Sequence, residues 1–252
     1  MSPNLTALYA SIQRCDAVYI PDADAAITKF QSMGSTEIVR LCTDTNQAIL
    51  HRPPDGIMTL TDSGTRVSEG TFIERVCDIY QDMDYTPYDL GGSCNVAIRP
   101  FKDALELYTW VTKQADGKLI RIEGHSLGGQ KTTYAMEYLP ADQIISMTAW
   151  ESPHQGNDIW WLSLQNKGWL NKLTQVYHGR DPWALWPWES TTLTKGPGSV
   201  VWAHSGICEV VPAAALPKAE FINLFDLPDA GDHDTSNIMS TFEQLVAQPT
   251  LV

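Results

Sequence analysis

The chain has 252 residues and a formal net charge of −13, enough length to bury the core of one α/β domain and still carry long loops. Its acidic balance argues against a protein that grips phosphate backbones or anionic membrane surfaces, both of which need clustered Lys and Arg. No apolar run approaches the length of a membrane span, and the first twenty residues lack a signal peptide's order of basic, apolar and small residues.

The five cysteines, Cys15, Cys42, Cys77, Cys94 and Cys208, are widely spaced and include no C-x-x-C pair. That pattern points to reduced thiols rather than a zinc site. A cytoplasmic protein, or one released without a leader, is expected.

Two helical patterns open the chain, Leu5 to Cys15 and Ala23 to Met33, the second capped by Asp22 or Asp24. The runs 37–42 and 47–51 alternate and are separated by Thr43-Asp44-Thr45-Asn46, which predicts a hairpin. Gly56 to Thr61 reads as a third strand. Phe101, Ala104, Leu105, Tyr108 and Thr112 mark one helical face. Lys118 to Ile122 then reads as a short buried strand and Gln130 to Leu139 as a helix. Another strand covers Gln143 to Trp150, a Trp-rich helical segment follows, and Leu173 to His178 is again a strand. A last helix runs through Ile238, Phe242 and Leu245. Strand and helix alternate across the middle of the chain. This order predicts a single domain over 1–252, with a mostly parallel central sheet, helices on both faces, and the chemistry at the carboxyl ends of the strands.

Between the strand at 118–122 and the helix at 130–139 lies Gly124-His125-Ser126-Leu127-Gly128-Gly129. A G-x-S-x-G pentapeptide at a strand-to-helix turn has the form of a nucleophile elbow, though the pentapeptide alone is modest evidence. The turn is tight enough to force the serine into a strained backbone conformation. Gly124 and Gly128 remove the Cβ atoms that would otherwise collide with the neighbouring strand and helix. The serine hydroxyl then stands clear of the sheet, and the N–H of Leu127 points at any carbonyl it attacks.

Such a nucleophile needs a base, and the base needs an acid, arriving downstream in the order Ser, Asp or Glu, His. Asp181 fits the acid, in the loop His178-Gly179-Arg180-Asp181-Pro182 that follows a strand. His233 fits the base, in a loop just ahead of the terminal helix. Its rival His204 lies between two strand-like runs. His51, His125, His154 and His178 are read as structural, His125 with its side chain leaving the elbow in another direction from the serine. Glu123 is assigned a structural or solvated role. Asp226, Asp229, Asp232 and Asp234 lack the regular spacing of a calcium loop and read as turn formers.

With these residues in view, the chain resembles the class 3 lipases, the fungal-lipase-like branch of the α/β-hydrolases, over roughly residues 37 to 240. Ile57 to Thr65 (IMTLTDSGT) looks like that family's third strand ending in R-G-T or R-G-S. Val96 to Ala104 with GHSLGG is similar to its central block. Trp150 to Asn157 (WESPHQGN) looks like its F-G-S-P-R-V-G-N, and Val176 to Pro182 like its catalytic-aspartate segment. Trp202 to Val210 and Asp232-His233 resemble its closing hairpin and histidine loop. The first thirty or so residues add nothing specific.

The resemblance implies an α/β-hydrolase fold and an oxyanion hole built from the backbone of Leu127 and from Thr65. One departure stands out: Asp62-Ser63 occupies the place of an apolar residue and Arg. The family is often secreted, which sets it against the missing export signal.

Trp183, Trp186 and Trp188 adjoin Asp181 and are expected to line an acyl or aryl pocket, while Trp160, Trp161 and Trp169 lie farther along the same region. The resemblance also implies a mobile cover within 66–93, which the amphipathic run Thr71 to Val76 would supply. Together these features predict a serine carboxylic-ester hydrolase of lipase or esterase type, needing no metal or organic cofactor and acting on a small-molecule or lipid ester. Transient contact with a lipid interface fits; nucleic acid does not. A phospholipase, an aromatic-acid esterase and a polyester depolymerase would share the machinery, and a non-catalytic binding protein would share the fold.

Overall fold

The structure, a computed structural model, describes residues 4–64, 86–181, 194, 196, 199–204, 207–212, 215–216 and 233–247. Helices α1 (Leu5–Val18) and α2 (Ala23–Ser32) lead into strands β1 (Thr36–Cys42), β2 (Gln47–Arg52) and β3 (Met58–Asp62). The short strands β4 (Pro87–Asp89) and β5 (Asn95–Ala97) pair with each other ahead of α3 (Ile98–Ala115). Strand β6 (Ile120–His125), helix α4 (Leu127–Tyr138), strand β7 (Ile144–Trp150), helix α5 (Asp158–Asn166) and strand β8 (Leu173–His178) supply the predicted alternation. Strands β9 (Ser199–His204) and β10 (Ile207–Pro212) and helix α6 (Thr235–Ala247) follow.

Eight strands form one sheet in the order β1-β2-β3-β6-β7-β8-β9-β10. From β3 to β9 neighbouring strands run parallel, and antiparallel pairs close both edges. Every residue of β3 is buried, as expected of a central strand covered on both faces. The expected mostly parallel α/β sheet is what the chain adopts.

Two apolar layers sandwich the sheet. On one face Leu50, Leu60, Ile122 and Met147 meet α3, α4 and α5 through Leu107, Tyr108, Tyr134, Trp160 and Trp161. On the other, Trp150, Val176 and Val201 meet α1 and α6 through Leu8, Ile12, Ile238, Phe242 and Leu245. Trp160, Trp161 and Trp169 are therefore core residues. Trp150 joins its layer edge-on to Phe242, 5.1 Å between ring centres, and donates its indole N–H to Ser11 Oγ at 3.0 Å.

Local corrections have local causes. Gly56 adopts φ 78° and its N–H closes a turn on the Pro53 carbonyl at 2.9 Å, so β3 begins at Met58 rather than Gly56. On α3 the buried stripe is Ala104, Leu107, Tyr108, Val111 and Ala115, and Leu105 is exposed. Leu107 and Val111 continue the stripe at positions i+3 and i+7 from Ala104, whereas Leu105 sits a residue off it.

Candidate active site

Strand β6 runs to His125 and α4 starts at Leu127, which leaves Ser126 alone in the turn with φ 59° and ψ −125°. A serine seldom adopts this conformation, and holding it costs about 1–3 kcal/mol. The glycines explain how the turn closes. A Cβ at Gly128 would lie 2.5 Å from the Asp62 carbonyl oxygen and 2.6 Å from that of Ser63, and one at Gly124 would overlap the Gly128 carbonyl. Helix α4 thus rests directly on the end of β3. Gly128→Ala is expected to cost about 3 kcal/mol, lowering the melting midpoint by roughly 6–12 °C in a domain of this size. A thermal melt within a degree of wild type would contradict that packing.

Three side chains from distant parts of the chain meet above the turn. His233 Nε2 lies 2.8 Å from Ser126 Oγ, and His233 Nδ1 lies 2.6 Å from Asp181 Oδ2. Asp181 is 3% exposed and Ser126 8%. Asp181 is held where it is by the turn after β8: Gly179, at φ 55°, gives its N–H to the Ala203 carbonyl at 2.8 Å and accepts the Trp202 indole N–H at 2.9 Å.

His233 stands two residues before the start of α6. That helix is anchored by Asp234, which accepts the Ser236 N–H at 2.8 Å, by Thr235 Oγ1 donating to Asp16 at 2.7 Å, and by the buried Ile238, Phe242 and Leu245. The backbone N–H of Leu127 is among the amide donors that a helix leaves without an intrahelical acceptor, and it adjoins Ser126. Thr65, Trp183, Trp186, Trp188, most of the 66–93 segment, and Asp226, Asp229 and Asp232 lie outside the described residues.

The other histidines have structural partners. His204 stacks on Trp202 at 3.7 Å between ring centres and faces Glu209 across the β9–β10 hairpin. His51 is buried between Ser35 and Thr61, and burial pushes it down to about 4. His178 Nε2 lies 2.9 Å from Thr241 Oγ1. Gln130 donates to the backbone carbonyl of His154 at 2.7 Å.

His125 does not lead away from the site. Its ring packs against that of His233, with centres 4.7 Å apart. Burial first, and then the charge of His233, push His125 down to about 3. It therefore stays neutral beneath the site.

Residues from α1 and its C-terminal cap complete the surroundings, although the first thirty residues carry no specific signal. Gly64 donates its N–H to Tyr19 Oη at 2.7 Å, and the same hydroxyl lies 2.9 Å from His125 Nδ1. One phenol thus ties the turn after β3 to the residue before Ser126. Glu123 is fully buried and accepts two bonds from Arg14, at 2.5 and 2.8 Å, and one from Thr61 at 2.9 Å, so its role is structural rather than solvated. Arg14 holds the Glu123 carboxyl below its usual range against the opposing effect of burial. Lys131, inside α4, bonds Asp62 and Asn46.

Among the described residues no helix is long and apolar enough to cross a membrane. No protein-family profile matches the chain and no curated protein matches it. Solved structures do. Lipase II from Rhizopus niveus superposes with a TM-score of 0.63 at 16% identity, over 91% of this chain and 92% of that one. The Rhizomucor miehei lipase in its propeptide complex gives 0.61 at 13% identity, over 81% and 69%. A triacylglycerol lipase from Penicillium expansum gives 0.55 at 13% identity, over 84% and 85%. What the chain shares with these fungal lipases is their fold, a fungal-lipase-like α/β-hydrolase fold.

Proposed function

We propose that the chain is a serine carboxylic-ester hydrolase of lipase type, one α/β-hydrolase domain that cleaves acyl esters through an acyl-enzyme on Ser126. The observation that carries this reading is the position of His233, within hydrogen-bond reach of both Ser126 and Asp181 at 2.8 and 2.6 Å.

Ser126 Oγ attacks the ester carbonyl while His233 Nε2 takes its proton. Asp181 accepts the Nδ1–H, fixes the tautomer and stabilises the imidazolium that forms. Neutral His125 adds no second positive charge beneath that imidazolium. The developing oxyanion takes the Leu127 N–H, with Thr65 as the second donor on the family resemblance, each worth about 3 kcal/mol. Collapse expels the alcohol, which receives the proton from His233. Water, deprotonated by the same imidazole, then releases the acid.

The test is a panel of dissolved and emulsified esters varying in acyl length and aromaticity, run beside labelling with a serine-directed phosphonate. Turnover of at least one ester with stoichiometric labelling of Ser126 is expected. A preference for phospholipid, feruloyl-type or polyester substrates would reassign the substrate class. Absence of both turnover and label would reduce the chain to a binding protein on this fold.

A further inference from the structure

Asp62 and Lys131 form an ion pair sealed behind the nucleophile turn, each side chain 1% exposed. Lys131 Nζ lies 2.9 and 3.2 Å from the two Asp62 oxygens and 3.0 Å from Asn46 Oδ1. Asn46 is turned that way by its own amide N–H groups, which donate to Glu106 Oε2 at 2.7 Å and the Asp103 carbonyl at 3.2 Å. Tyr108 Oη holds the Lys131 carbonyl at 2.8 Å. The ammonium thus donates to Asp62 Oδ1 at the end of β3 and to Asn46 Oδ1 in the β1–β2 turn, with Asn46 held in place from α3.

For stability alone this arrangement is a poor choice. Burial pushes the Asp62 carboxyl up to about 6, with Lys131 opposing and Asp103 adding to the rise. Well-packed apolar residues in place of a buried pair are commonly as stable or more so.

Location supplies the reason for the pair. Asp62 is the last residue of β3, and the Asp62 and Ser63 carbonyls press on Gly128. A Cβ at Gly64 would stand 2.7 Å from Ser126 Cβ. Lys131 sits on α4, whose first residue is Leu127. The turn after β3 and helix α4, two of the segments packed around Ser126, therefore each carry one half of the pair. An apolar contact tolerates sliding, whereas a two-oxygen ion pair with a third fixed acceptor sets both distance and direction.

We propose that Asp62 and Lys131 are positioning residues: their pair fixes the turn after β3 against helix α4, and so sets the backbone donors around Ser126 for the transition state. The proposal rests on the ester-hydrolase reading. A displacement near 1 Å in such a constellation costs about a hundredfold in rate, so the effect falls on kcat rather than on substrate binding.

The decisive variant replaces both members by apolar residues of similar size, Asp62→Leu with Lys131→Met. It is expected to melt within a few degrees of wild type, to hydrolyse a soluble short-chain ester with kcat reduced about a hundredfold, and to keep KM within about twofold. Asp62→Asn, which keeps shape and removes charge, is expected to lose kcat in the same direction, and it decides the question should the double variant not fold. Wild-type kcat in either folded variant overturns the proposal, leaving the pair a packing feature. A wild type that neither turns over esters nor labels with phosphonate overturns the ester-hydrolase reading instead.

Discussion

Ser126→Ala is expected to lower turnover of any ester the protein cleaves by about a millionfold. The side-chain oxygen removed is the one His233 approaches at 2.8 Å. What remains is the rate supplied by the oxyanion donors and binding alone, about 10³–10⁴ above water. Alanine keeps the Cβ at φ 59°, so backbone strain at the turn is unchanged. The variant should therefore fold like wild type, which a thermal melt checks on the same sample. Ser126→Gly offers the complementary measurement: glycine adopts that conformation without strain, so this variant should be equally inactive and more stable. An alanine variant retaining most of its kcat would remove Ser126 from the mechanism.

Asp181→Asn is expected to reduce kcat by about 10⁴ with little change in stability. The substitution is nearly isosteric, and the Asp181 side chain is 1% exposed, so packing is preserved. The chemistry changes because an amide can present its N–H₂ to His233 Nδ1. Nδ1 must then accept, the proton moves to Nε2, and Nε2 can no longer take one from Ser126. Phosphonate labelling should slow in parallel, since it depends on the same base. A variant whose kcat stayed within tenfold of wild type would show that Asp181 does not set the histidine's tautomer.

The two predictions probe different ranges of legibility. The turn at Ser126 was readable because its cause is local: two glycines, a strand before and a helix after, all within a few residues. Asp181 was readable at one remove, from a strand end followed by a Gly-containing loop. In sequence, only loop context separates His233 from His204. The structure sets His204 against Trp202 and Glu209 on the edge hairpin and brings His233 to Ser126 across 107 positions of sequence.

Tyr19, Arg14 and Lys131 were not legible as parts of this surrounding. A tyrosine after a helix, an arginine within one and a lysine in another are ordinary in isolation. They matter because α1 lies across β6 and because α4 rests on the end of β3. The pocket tryptophans Trp183, Trp186 and Trp188, and the cover expected within 66–93, stand as expectations from sequence.

By itself the sequence determined the kinds and order of the main elements, the strained serine turn and the parallel sheet, since periodicity, turn chemistry and chain alternation act between near neighbours, but not the short β4–β5 pair. Only the tertiary structure decided which distant groups share one low-dielectric space: His233 between Ser126 and Asp181, Tyr19 on Gly64 and His125, Lys131 on Asp62. The physical reason is that a buried polar group must find its partner wherever packing brings one, and that partner is chosen by which surfaces of helix and sheet are pressed together, a choice no local spacing records.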